Sequence, residues 1–155
     1  MHIRLYRPVD SDAVMALAPR LAIGVAPWRN TSAVANAVQS WVRESLADHS
    51  NDQRPVFVAE EAGHVVGFAA AGTRRHWTGE VDAYIGELVV AADRTTRGIG
   101  RALVTAIQSW ARDAGHLRIT LETGAANQDA RAFHAALGYT DEEVVLTRSL
   151  EKHDR

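Results

Sequence analysis

Arg97-Gly98-Ile99-Gly100-Arg101 sets two glycines one residue apart between arginines, where an apolar run gives way to a helical pattern. The first N–H groups of a helix lack intrahelical partners and carry the positive end of its dipole, so they suit an anion. Glycine admits close approach to the backbone, and Arg97 and Arg101 add charge. The plainer alternative is a tight turn with solvated arginines. A second set of residues suits proton transfer. Glu87 in "YIGELVV" and Glu122 in "ITLETG" are carboxylates in apolar, strand-like runs, and burying a carboxylate without a partner or a function is costly. His134 has an unperturbed pKa of about 6.5 and falls on the Ala130/Leu137 edge of a short helix, turned toward the sheet.

Composition narrows the anion. A dinucleotide fingerprint would need a third glycine at position 103, which is Leu103. A nucleoside-triphosphate loop needs a lysine, yet sixteen of the seventeen basic residues are arginine and the single lysine is Lys152. The pyrophosphate of coenzyme A is the third explanation. The chain has no cysteine, which removes thiol nucleophiles and cysteine-ligated zinc and fits a cytoplasmic setting. His64, His76 and His116 lack metal-ligand spacing, so no metal is expected. A net charge of −2 argues against a nucleic-acid partner. No run reaches transmembrane length and "MHIRLYRPVD" lacks a secretory core, so no membrane partner is expected.

These residues need elements to hold them. The 155 residues suggest one domain, 1–155. Ile3 to Pro8 alternates as a first strand. Asp10 and Ser11 offer caps to a helix that Pro19 interrupts or follows, and a second helix runs from about Thr31 to Asp48. "VFVAE" and "HVVGFAAAG", joined at Glu61-Ala62-Gly63, read as a hairpin, and "AYIGELVVAA" as a central strand. After the glycines a helix runs to about Ala114, followed by a strand "LRITLET", a helix "NQDARAFHAAL" and a final strand "EVVLTRSLE". Trp41 and Trp110 fit helical core stripes, whereas Trp28 and Trp77 lie in connections where an aromatic lines a pocket or interface. The order β-α-α-β-β-β-α-β-α-β means a mixed-sheet α/β or α+β domain.

"LVVAADRTTRGIGRALV" resembles the cofactor motif of the GCN5-related N-acetyltransferases (GNAT), and "NQDARAFHAALGY" resembles their second signature. "IRLYRPVDSDAV" and "VFVAEEAGHVVGFAAAG" look like that superfamily's opening, so the resemblance spans nearly the whole chain. It implies an acyl-CoA N-acyltransferase fold: a central mixed, mostly antiparallel sheet flanked by helices. It implies acetyl-CoA as cosubstrate and direct attack of a primary amine on its thioester in a ternary complex. The acceptor is a small metabolite, an aminoglycoside-like compound or a peptide amine. Leu88, Val89 and Val90 would present backbone groups to the pantetheine arm, and Arg97, Gly98, Ile99, Gly100, Arg101 and Ala102 would cradle the pyrophosphate. Asn127 matches an asparagine near the cofactor. Glu87 or Glu122 would be the base, with a water relay as the alternative, and His134 the acid toward the departing thiolate. Trp28 and Trp77 would line the acceptor side.

Two positions depart from the pattern. Thr95 stands where glutamine or arginine is usual, so the phosphate interaction of that position is either missing or supplied by Arg94. His134 stands where tyrosine is usual. These departures suggest a rival to the enzyme reading, a coenzyme A-binding module without catalysis. Dimerisation is common in the superfamily, so a homodimer is compatible with the resemblance.

Overall fold

The computed structural model describes residues 1–151; Lys152 lies outside the described residues. Five strands form one sheet in the order β1-β2-β3-β4-β5. They are β1 (His2–Leu5), β2 (Val56–Glu61), β3 (His64–Arg75), β4 (Val81–Val90) and β5 (Ile119–Leu121). Neighbours are antiparallel except β4 and β5, which run parallel, so the sheet is mixed and mostly antiparallel as expected. The β2–β3 turn places Ala62 and Gly63 both at positive φ, the conformation of a tight hairpin turn whose twist matches its strands.

Helices cover both faces. On one side, α1 (Ser11–Leu17) and α2 (Thr31–Ala47) bury Val14, Val38 and Val42 against Val56, Val58, Phe68 and Val89. On the other, α3 (Ile99–Asp113) buries Ile99, Leu103, Val104 and Ile107 against Ala69, Ala71 and Ile85. Fully burying one such valine, leucine or isoleucine stabilises by about 1.5–3 kcal/mol. The short helix α4 (Gln128–Ala136) adds Phe133 and Leu137 to the α3 side.

One irregularity in β4 matters for the site. Ala70 pairs with Glu87 but Ala71 pairs with Ile85, so Gly86 is an extra residue in that strand. A bulge of this kind reverses the alternation beyond it. Ile85 therefore packs toward α3, while Glu87 and Val89 face α2.

Three expectations change. Asp10 makes no side-chain cap on α1. It accepts two hydrogen bonds from Arg4, at 2.7 and 2.9 Å, and that guanidinium holds its carboxyl below the usual carboxylate range. Trp41 is 56% exposed, because the buried seam of α2 is Val38, Val42 and Leu46 and the tryptophan falls beside it. The final strand does not form. Residues 141–151 carry no strand, and Val144, Val145 and Leu146 are exposed. Asp141 bonds Arg131, Trp77 bonds Glu143, and His76 lies 3.9 and 3.4 Å from Glu142 and Glu143. These interactions tie the start of the segment to α4 and to the β3–β4 connection.

Candidate active site

The glycine stretch lies where expected. A 3-10 turn (Ala92–Arg94) follows β4, and α3 begins at Ile99 with Gly98 as its N-cap, at φ +79°. α2 and α4 are capped by the side chains of Asn30 and Asn127, whereas no side chain caps α3. The leading amides of α3 are thus left to an external acceptor. A Cβ on Gly98 would meet no protein atom within 4 Å, so its constraints inside the protein are purely conformational. Gly100 differs: a Cβ there would come within 3.2 Å of the Phe133 ring, so this glycine lets α4 pack onto the start of α3.

Arg97 and Arg101 make no hydrogen bond or ion pair through their side chains among the described residues. Arg94 Nη1 bonds Asp93 at 2.8 Å, whereas its Nε, 3.2 Å from Glu61, is buried without a hydrogen bond. Thr95 is exposed and donates to the Ala92 carbonyl at 3.3 Å. Thr96 sits at φ +66°, a left-handed conformation costly for a β-branched residue. Thr96→Gly should relieve that strain, a gain partly offset by the greater freedom of glycine in the unfolded chain. The net expectation is a stabilisation of about 0.5–1 kcal/mol by thermal denaturation. A lower melting temperature would show that the loop is relaxed as it stands.

β4 and β5 pair only at Ala83–Ile119, Tyr84–Thr120 and Ile85–Leu121, so Leu88, Val89 and Val90 lie beyond the end of β5. The Val90 carbonyl is not idle. Arg20, from the 3-10 stretch Ala18–Ala22, donates to it from Nε at 2.7 Å. Asn127 accepts from the Ala130 amide at 3.1 Å and donates to the Ile23 carbonyl at 3.2 Å, tying the 18–30 segment to the β5–α4 turn. Arg20 is a participant the sequence did not signal, since nothing marks one arginine among sixteen.

The two carboxylates have opposite settings. Glu87 is buried, and among the described residues its only side-chain partner is Ser45 of α2, which donates at 2.8 Å. Burial pushes its pKa up to about 7, with the Ser45 hydrogen bond pulling the other way. Glu122 is on the surface and accepts from Arg74 of β3 at 2.6 Å. Ser45 had a faint sequence signal, as a hydroxyl within the apolar stripe of α2. His134 is half-buried with its ring against Phe133 and Tyr139, and its Nδ1 is buried without a partner. Burial lowers its pKa, which favours the uncharged imidazole. Trp28 and Trp77 are both largely exposed.

Among the described residues no cluster of histidine, aspartate or glutamate is arranged to hold a metal, and no helix is long and apolar enough to cross a membrane.

The comparisons agree with this geometry. Residues 23–139 match the model of the acetyltransferase (GNAT) family. An aminoglycoside N(6')-acetyltransferase type 1 of Stenotrophomonas maltophilia is 34% identical over 108 residues, covering 66% of this chain and 69% of the relative. The L-amino acid N-acyltransferase MnaT of Escherichia coli is 28% identical over 141 residues, 90% of this chain and 79% of the relative. An N-acetyltransferase of Methanocaldococcus jannaschii is matched over 42% of its own length. Among solved structures, aminoglycoside N-acetyltransferase AAC(6')-Iy in complex with CoA superimposes with a TM-score of 0.72 at 22% identity, covering 96% of this chain and 94% of that one. With 117 of its 155 residues inside the family model, the chain belongs to the GNAT acetyltransferase family.

Proposed function

We propose that this protein is an N-acetyltransferase that moves an acetyl group from acetyl-CoA to a primary amine. The observation that carries the reading is the pairing of an uncapped α3 N-terminus, flanked by Arg97 and Arg101, with a buried carboxyl on the adjoining strand. The residues fit the cosubstrate. The free amides from Ile99 to Arg101, with Gly98 and the Arg97 and Arg101 side chains, hold its pyrophosphate, while the Ala102 amide is spent on the Gly98 carbonyl and lends only its place in the first turn; Leu88 to Val90 offer their free strand edge to the pantetheine arm. Seating that arm requires Arg20 to release the Val90 carbonyl. Bound there, acetyl-CoA supplies the activated carbonyl.

The chain's own groups handle the protons. Glu87, poised near pH 7, takes the proton from the incoming ammonium. An α-amino group of ordinary pKa near 8 loses its proton to such a carboxylate at a cost of about 1.4 kcal/mol, small against typical barriers. Glu122 is a weaker base candidate, because it lies on the surface engaged by Arg74. His134, uncharged, acts by donating a hydrogen bond to the thiolate instead of transferring its proton outright. The absence of cysteine supports a reducing, cytoplasmic setting.

Ser45 provides the test of this proton economy. Ser45→Ala removes the one interaction that lowers the Glu87 pKa. The acid limb of the pH–rate profile for thiol release should move upward by about one pH unit, the effect of losing a hydrogen bond to a charged group. An unshifted limb would take Glu87 out of the proton path.

A further inference from the structure

We infer that the acceptor is an amine that also carries a carboxylate, and that Arg74 is the residue that selects it. The inference rests on the acetyl-transfer reading and deepens it. The sheet face that presents Glu87 continues past the bulge to Tyr84, Gly72 and Arg74. The register sets Gly72 opposite Tyr84, and Arg74 opposite Asp82, while Tyr84 pairs with Thr120 of β5. Arg74 lies over the Tyr84 ring, 4.8 Å from its centroid, and its Nη1 is held by Glu122. Stacked on one side and tethered at one nitrogen, the guanidinium is fixed in orientation. Its Nε and Nη2 make no hydrogen bond among the described residues, so one planar donor edge is left for a ligand.

That edge matches a carboxylate, which a guanidinium grips through two parallel hydrogen bonds. Arg74 lies over the Tyr84 ring, and Tyr84 precedes Glu87 on the same strand, across the Gly86 bulge that brings both onto one sheet face. Beside the ring that face is shallow, since a Cβ at Gly72 would meet only the Arg54 side chain, at 3.9 Å. An amine directed to Glu87 thus finds a cation positioned for a negative group on the same molecule. The guanidinium stays charged at any working pH. A polycationic acceptor gains nothing from a guanidinium on this path.

The test compares the standard amino acids as free acids and as α-amides, with neamine as a polycation, in a thiol-release assay with acetyl-CoA. Free acids should outperform their amides. Arg74→Gln should raise KM for the acids by about tenfold or more, the scale of a broken charge-assisted pair, with a much smaller effect on the amides. Arg74→Lys should restore part of the preference, and Glu122→Gln, which loosens the competing pair, should preserve it. The inference is overturned if amides serve as well as acids, if Arg74→Gln changes KM equally for both, or if neamine is preferred and improves with Arg74→Gln. Thermal stabilisation by acetyl-CoA is recorded alongside. If it is present while no amine releases thiol, the acetyl-transfer reading itself fails, and this inference with it.

Discussion

Glu87→Gln should reduce the rate of thiol release by about 10²- to 10⁴-fold, the usual contribution of a positioned general base. It should at the same time make the protein harder to unfold in mildly alkaline buffer. The two effects share one cause. Glu87 is buried with Ser45 as its sole side-chain partner among the described residues, and its pKa is pushed up to about 7. The sign follows directly. A raised carboxyl pKa means that the native state holds a proton the unfolded chain has released, so native stability falls as pH rises from about 4.5 to about 7. The full difference corresponds to roughly 3 kcal/mol, an order-of-magnitude figure. Glutamine keeps the shape and cannot ionise. At pH 8 the variant should melt several degrees higher than the parent, and near pH 4.5 the two should converge. Thermal melts at both pH values beside steady-state rates decide the matter. Equal melting at every pH would mean that Glu87 is not strained by its charge, and an unimpaired rate would mean that it is not the base.

Gly98→Ala should raise KM for acetyl-CoA about tenfold or more, with kcat far less affected, while costing about 1 kcal/mol of stability. The stability cost comes from φ +79°, a conformation an L side chain adopts poorly. The weaker affinity comes from the new methyl group, which meets no protein atom and so projects where the pyrophosphate would approach. Gly100→Ala is the contrast. Its methyl group would press on Phe133 at 3.2 Å, so its damage should register in the melting temperature even without ligand. If Gly98→Ala left KM unchanged, the loop would be only a helix start.

How much of this was legible in the sequence depends on the range of the interaction. The Ala62-Gly63 turn, the helix start at the Gly98 stretch and the buried α3 positions Ile99, Leu103 and Ile107 are local patterns, and each lies where the sequence placed it. The face on which Glu87 points was not legible, because one extra residue at Gly86 reverses the alternation and only the pairing register reveals it. The different settings of Glu87 and Glu122 depend on Ser45, 42 positions away, and on Arg74, 48 positions away, and no period encodes such pairings. The same limit explains the missing last strand. Val144, Val145 and Leu146 have the right composition, but strand formation needs a partner edge, and side-chain anchors at Asp141 and Glu143 tie the start of the segment to α4 and to the β3–β4 connection.

The central claim is that the start of α3 binds the pyrophosphate of acetyl-CoA. Thermal unfolding with acetyl-CoA, coenzyme A and NAD added separately tests it most directly. A ligand at about 100 times its dissociation constant stabilises by roughly 2.7 kcal/mol, a rise of several degrees for a chain of this size. That rise is expected with both coenzyme A species, reduced in Gly98→Ala, and absent with NAD. No shift with either coenzyme A species, or an equal shift with NAD, would contradict it.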